Sequence, residues 1–466
     1  MEGLAALSAT SDARTGRRLL LLTQHFPPSG EVAGRVTARL LRHLAAFGWQ
    51  TTVLTIAEQS IVGPIDRGAY GDVLSGLRVE RVARWPRVLD LLVKARRRGA
   101  RPAPAPAPAA ASAAPPAGFS WSADAGRSRL LRYLTFPDNK TGWVAPAVLR
   151  ARQLLRAETF DALLTISPPH STHLAGLALK RLFPELPWVA QLHDPWVSFD
   201  APPSDWALAR GASYLERQVV TAADDVLLAT DEARARYLAR YPELPPDKLG
   251  VLVNGYDPVD FPPATAPATG AARPLRFVHL GTIYGGRDPL PFLSGLASLI
   301  AAGTLDRRAA QVELIGDCEP LAAVNAAVAA GGLEGVVTVS GQIDHAQALA
   351  RMVAADVLLL LAQGQPCQIP AKLYEYLHAR RFVLAFTDGA SARVVEETGA
   401  GRVVGPGQDP APVLREIVAL HRSGQLARWA APPEKLAPYQ ARHLAGLLAG
   451  RLNAVVGGPG AHRQAA

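Results

Sequence analysis

RRLLLLTQHFPPSGEVAGRVTARLLRHLAAFGWQTTVLTI, residues 17–56, decides the fold. It opens on a short apolar run that ends in a polar turn, as a strand buried on both faces does. The loop PPSGEVAG (27–34) follows. In VTARLLRHLAAFG (36–48) the apolar residues then recur at helical spacing and stop at Gly48. QTTVLTI (50–56) is a second strand. Strand, helix and parallel strand within about 40 residues form the βαβ unit that opens a doubly wound sheet.

The alternation continues outward. APAVLRARQLLRA (145–157), HSTHLAGLALKRLF (170–183) and ALARGASYLERQVVTAA (207–223) read as helices. DALLTIS (161–167), PWVAQLHD (187–194) and DDVLLAT (224–230) read as the strands between them. A second series begins at LRFVHLG (275–281) and continues through QVELIG (311–316), VVTVSG (336–341), DVLLLLA (356–362), RFVLAF (381–386) and GRVVG (401–405). LAPYQARHLAGLLAGRLN (436–453) is a closing helix. The two series share a rhythm without an internal sequence repeat. The fold class is therefore α/β with two Rossmann-like parallel sheets. Three stretches break the pattern: a disordered leader (1–16), an Ala/Pro low-complexity loop (99–118) and a Pro/Ala/Gly linker (261–274).

Bulk numbers agree with two domains. A chain of 466 residues exceeds one ordinary core. Its two cysteines, Cys318 and Cys367, form no CxxC or Cys/His cluster, which argues against a disulfide scaffold or structural zinc. The N-terminus lacks a signal-peptide pattern, and no apolar run approaches the roughly 20 residues that span a bilayer. The expectation is a cytoplasmic protein, free or peripheral on a membrane. Net charge is +9. Between Arg81 and Arg101 eight Lys/Arg stand against Asp90 alone. No nucleic-acid-binding signature accompanies them, so nucleic acid is not an expected partner.

Several side chains carry candidate chemistry. In CQIPAKLYEYLHARRFVLAF (367–386) a polar loop leads into a short helix with Lys372 and Glu375, and then a strand. A carboxylate so placed can accept both hydroxyls of a ribose; the alternative is an exposed ion pair between Lys372 and Glu375. The loop with Ser29, Gly30 and Gly34 reads either as a phosphate cradle or as a tight βα turn, and is neither GxGxxG nor a Walker A loop. His193 and Asp194 stand at a strand's carboxyl end, where open α/β sheets bind ligands. A structural His at a strand end is the other reading. PDNKTGWVAPAV (137–148) puts Asp138, Lys140 and Trp143 in one turn, as acceptor contacts or as cap and core. VLVNGYD (251–257) closes a strand with an Asn-Gly turn, and GTIYGGRDP (281–289) offers Arg287 to a diphosphate or to solvent.

Taken in order, these features resemble the GT-B glycosyltransferases, specifically glycosyltransferase family 4, in the sub-group that builds bacterial exopolysaccharide, capsule and O-antigen. The resemblance spans residues 17–455. It rests on the opening βαβ unit, PDNKTGWVAPAV, SPPHSTHLAGLALKR and HDPW, then VNGYD, HLGTIYGGRDP, AADVLLLL and IPAKLYEYLHARRFVLAF. It implies an acceptor domain over 17–265, a nucleotide-sugar domain over 270–435 and a helix at 436–455 crossing back to the first. It places Ser29, Gly30 and Gly34 near the donor diphosphate and His193 near the donor sugar. Gly281, Thr282 and Arg287 fall where the family binds the diphosphate, with Thr282 at its usual Arg and Arg287 at its usual Lys. Of the family's E-x7-E pair, Glu375 is the second, on the ribose. Cys367 replaces the first, leaving Lys372 and the amides of Ala371 and Lys372 to compensate.

The function so implied is retaining transfer of a sugar from a nucleotide diphosphate sugar to a lipid-linked or saccharide acceptor. His193, Asp194, Arg287 and Glu375 would do the catalytic work, with no metal and no cofactor. The basic segment 81–101 would then face an anionic membrane surface, or else be a solvated charge run. Two alternatives share the architecture: a nucleotide-sugar epimerase, and a catalytically inactive scaffold.

Overall fold

The computed structural model describes residues 16–68, 70–86, 133, 135–197, 205–262, 273–426 and 429–457. The low-complexity loop, most of the leader, the middle of the linker and the basic residues 87–101 lie outside them.

A seven-stranded sheet has the order β3-β2-β1-β4-β5-β6-β7. Its strands are β1 (Arg17–Leu22), β2 (Trp49–Ile56), β3 (Arg78–Val82), β4 (Ala162–Ser167), β5 (Trp188–Leu192), β6 (Asp225–Leu228) and β7 (Leu249–Val251). A six-stranded sheet has the order β10-β9-β8-β11-β12-β13. It consists of β8 (Leu275–Leu280), β9 (Ala310–Ile315), β10 (Val337–Ser340), β11 (Val357–Ala362), β12 (Phe382–Thr387) and β13 (Gly401–Val404). Every strand pair in both sheets is parallel.

The apolar runs explain the layers. β1 places Leu20 and Leu22 in one core and Leu19 and Leu21 in another, so successive leucines face opposite sides of the sheet. β11 does the same with Leu359 and Leu361 against Leu358 and Leu360. Strands with both faces covered have no solvent side to mark with polar residues. β3 was not expected from the sequence: RVERV is a half-exposed edge strand whose charges mask its period. The closing helix also differs from expectation. Residues 433–436 form a short turn of helix and 437–439 a 3-10 turn, and the long helix runs only from Ala441 to Val456.

Six helices position the site: α1 (Val32–Leu44), α2 (Ser171–Leu182), α3 (Trp206–Ala222), α4 (Asp231–Arg240), α5 (Ala371–Ala379) and α6 (Ala441–Val456). α6 packs on α1, with Leu444, Leu448 and Leu452 joining Leu40, Leu41 and Leu44 in one core of the first sheet. The chain returns there beside the linker, where Tyr256 N–H donates to the Tyr439 carbonyl at 2.9 Å and the Tyr256 carbonyl accepts from Ala441 N–H at 2.7 Å.

In each sheet the strand order reverses once, between β1 and β4 and between β8 and β11. Loops leaving a sheet there diverge and open a crevice at its carboxyl edge. The site lies where these two edges face each other.

Candidate functional site

The second sheet supplies a cationic floor. Gly281 follows β8 with φ of +114°, and a side chain there would meet Lys372 Nζ at 3.2 Å. The absent side chain lets the lysine reach the strand end, where Nζ lies 3.3 Å from His279 Nε2. Burial, with help from Arg287, pushes the Lys372 amine well below its ordinary range. Arg287 is half-buried over the Tyr284 ring, 4.5 Å from its centroid. Its Nη1 donates to the Thr282 carbonyl at 3.2 Å and its Nη2 to Gln365 Oε1 at 3.4 Å, while its buried Nε has no partner. Thr282 thus holds the arginine through its main chain. Ala371 and Lys372 begin α5, where the first-turn amides have no intrahelical acceptor.

The first sheet faces this floor with His193 and Asp194. Asp194 Oδ1 accepts from Gln368 Nε2 at 2.9 Å, a bond between the two halves of the chain. Burial raises its carboxyl pKa against the opposing pull of Arg287, which places the two groups within electrostatic reach. His193 is buried, its Nε2 unpartnered, and burial brings its pKa down to about 4, so it is neutral at pH 7. Around it, Ser167 Oγ, His170 Nδ1, Thr172 Oγ1 and Gln191 are also buried without hydrogen-bond partners. His170 stacks on Trp196 at 5.1 Å.

Glu375 is not the exposed partner of Lys372. It is only 7 % exposed, and its Oε1 accepts from Arg39 Nη2 of α1 at 2.5 Å. Arg39 is itself 1 % exposed and also donates through Nε to Asp260 Oδ2 at 2.6 Å. His345 Nε2 lies 3.6 Å from the same Glu375 oxygen. Burial, the largest single influence, would raise the Glu375 pKa; the Arg39 charge and hydrogen bond together with the His345 and Arg35 charges outweigh it and hold the carboxyl below its ordinary value. Sequence reasoning missed Arg39, and its one signal is Arg35 a turn earlier on α1.

Other candidates have other surroundings. Cys367 is 4 % exposed and packs into a core of the first sheet, and its carbonyl accepts from Thr230 Oγ1 at 2.7 Å. The thiol therefore lies in an apolar core. Trp143 is fully buried in that core as well. Asp138 is buried and accepts from Ser171 N–H at 2.8 Å, Ser171 Oγ at 2.9 Å and Lys140 N–H at 2.9 Å, so it caps α2 and ties its own turn to it. In the first loop the amides of Ser29, Gly30 and Gly34 already donate to the carbonyls of Phe26, Pro64 and Glu31. Those three amides stiffen the turn, leaving Ser29 Oγ as its buried, unpartnered donor.

Residues 86–260 match the family described as Glycosyltransferase Family 4. No curated protein matches the chain in sequence. The fold is similar to that of sucrose-phosphate synthase from Thermosynechococcus elongatus, at 16 % identity and TM-score 0.60, covering 94 % of this chain and 98 % of that one. It is similar to Anabaena HepE solved with UDP-glucose, at 16 % identity and TM-score 0.59, covering 94 % and 99 %. WaaG, a glycosyltransferase involved in lipopolysaccharide biosynthesis, is similar at 15 % identity and TM-score 0.53, covering 94 % and 100 %.

Proposed function

We propose that this chain of GT-B fold is a family 4-like glycosyltransferase and that it moves a sugar from a nucleotide diphosphate sugar to a saccharide or lipid-linked acceptor. The observation that carries this reading is the pairing of Arg287 and Lys372 on one edge with His193 and Asp194 on the other. Two basic groups, one of them with its pKa pushed down by burial, suit an arriving diphosphate. The ribose then lies on Glu375, and the amides at the start of α5 face the phosphate oxygens. Solved complexes of HepE hold UDP and UDP-glucose, which supports a nucleotide donor here.

In this reading the protein positions both substrates and stabilises the departing diphosphate. Transfer retains the anomeric configuration. The bond from the sugar's anomeric carbon to the diphosphate breaks, the acceptor oxygen bonds on the same face, and its proton passes to the departing phosphate. His193, neutral in its buried position, donates or accepts a hydrogen bond at the sugar without taking that proton. Protein cations, rather than a metal ion or cofactor, neutralise the leaving group. The acceptor sits at the carboxyl edge of β4, where the unpartnered Ser167, His170 and Thr172 offer hydrogen bonds to an uncharged sugar. The product belongs to cell-surface polysaccharide or glycoconjugate synthesis, on the cytoplasmic face of the membrane. Trp85, 52 % exposed at the start of the basic segment, supports a membrane-facing edge. Among the described residues no helix is long and apolar enough to cross a membrane.

A thermal-shift screen against UDP, GDP and their sugar conjugates tests this. A nucleotide bound only by the folded chain raises Tm by mass action. The expected result is a clear shift with one nucleotide family, lost in Arg287→Ala. No shift with any of them in a folded sample refutes the donor site.

A further inference from the structure

Glu216 sits in the middle of α3 with no exposed surface, and the chemistry above gives it no task. A carboxylate taken so far from water needs several donors. It has four. Oε2 accepts from Val197 N–H at 3.0 Å and from Tyr237 OH at 2.8 Å. Oε1 accepts from Arg240 Nη1 at 3.0 Å and from Tyr241 OH at 2.5 Å. The Tyr237 hydroxyl in turn accepts from Trp196 N–H at 3.2 Å.

Both main-chain donors belong to the segment that leaves β5 directly after His193 and Asp194. α4 contributes Tyr237 and Arg240, and Tyr241 follows at its end. The same segment carries Trp196, whose ring packs against His170 from the next loop, interplanar angle 11°. One buried carboxylate therefore fixes a strand-end loop from below, and through Trp196 it fixes the neighbouring loop as well. A carboxylate kept only for packing would have no need to hold one backbone amide beside the cleft directly and the preceding one through Tyr237.

We propose that Glu216, with Tyr237, is a positioning residue for glycosyl transfer: it clamps Trp196 and Val197 so that His193, Asp194 and His170 are held in a single arrangement towards the substrates. The clamp rests on the reading of His193 and Asp194 as site residues. Its two oxygens serve four donors, and an amide side chain has a single acceptor oxygen, so Glu216→Gln releases one side of the clamp. Tyr237→Phe is gentler, since it removes the Trp196 link and leaves Val197 N–H and Arg240 on the carboxylate.

The test uses the full chain with three variants: Glu216→Gln, Tyr237→Phe and His193→Ala. The readouts are the His193 imidazole resonance against pH, UDP affinity by calorimetry, and turnover of the UDP- or GDP-sugar that gives the shift in the screen above. In the unaltered chain the His193 resonance is expected to titrate near pH 4, since burial disfavours the charged ring. A released loop admits water, and the midpoint moves towards the ordinary 6.5 in both clamp variants. Turnover falls roughly tenfold or more while UDP affinity stays within about threefold, a drop of the size that misplaced reacting groups produce. A merely structural Glu216 would lower Tm and move neither the midpoint nor the turnover of the folded fraction, and that result overturns the proposal. If Glu216→Gln does not fold, Tyr237→Phe decides alone. Full turnover in His193→Ala sinks the site reading and the clamp's role with it. Lost turnover in His193→Ala beside unchanged turnover in Tyr237→Phe sinks the clamp and spares the site.

Discussion

Replacing Glu375 by glutamine keeps the shape of the side chain and removes its charge. In the native chain the Arg39–Glu375 pair is almost dry, with side-chain exposures of 2 % and 9 %. Removing one partner of a buried pair typically costs about 3–5 kcal/mol, because the other charge stays in low dielectric. Two details reduce that figure here. Arg39 keeps Asp260 at 2.6 Å, and the glutamine oxygen can still accept one bond. A hydrogen bond involving a charged group is worth about 1.5–3 kcal/mol, so a loss of about 2–3 kcal/mol is expected at pH 7. The pH dependence identifies the source. The native carboxyl lies below its ordinary 4.5, so its contribution is complete above that value and is lost as pH falls through the lowered folded value. Urea melts of both proteins from pH 7 to pH 3 should therefore converge on the acid side. UDP should raise the Tm of the native chain and leave that of Glu375→Gln unchanged. A difference below about 0.5 kcal/mol that is flat with pH would mean that the carboxylate is solvated and the pairing argument is wrong.

Four further outcomes follow from the same geometry. Arg287→Ala should weaken UDP about 10- to 100-fold by calorimetry, the worth of one charge-assisted contact; unaltered affinity would remove Arg287 from the diphosphate. Arg39→Gln should tighten UDP by about tenfold, since ribose and guanidinium compete for Glu375 Oε1, and a bond of that kind is worth at least about 1.4 kcal/mol; weaker binding would show that Arg39 supports the carboxylate for its ligand. Asp138→Asn should cost about 1–2 kcal/mol in urea melts, as a lost helix cap does, with turnover within about threefold; a large turnover loss at unchanged stability would return Asp138 to the acceptor. The chain should pellet with anionic liposomes at low salt and less so as Trp85→Ser; equal recovery in the supernatant with and without vesicles sinks the membrane edge.

The sequence made the strands legible where burial is complete. β1, β5 and β11 are apolar runs bounded by turn residues, and nothing else in the chain competes for that reading. β3 escaped because Arg78, Glu80 and Arg81 break the alternation on an edge, whereas the strand read as closing at VLVNGYD is β7, which ends at Val251. Site residues at strand ends were legible for a topological reason: His193, Asp194, Gly281 and Arg287 all follow a parallel strand, so the fold brings them to one crevice. Arg39 and Glu216 were not, because each lies within an amphipathic helix, where a charge normally reads as the solvent face. Arg39 is buried only because the second sheet faces α1. Glu216 is buried only because α4 lies against α3. Both facts belong to packing between distant segments, which spacing within one helix does not encode.

The position of Cys367 has a consequence for the timing of ligand entry. One residue of the second half's loop is part of the first half's apolar interior, and its carbonyl is held there by Thr230. Separating the halves would draw the Cys367 side chain out of an apolar core and part Gln368 from Asp194. A minor conformation that costs a few kcal/mol is generally populated at roughly 0.1–10 %. A donor that enters only the open form sees its apparent affinity reduced by that fraction. Substitutions at Cys367 and Thr230, which the proposed donor contacts do not include, would then change how often the door opens.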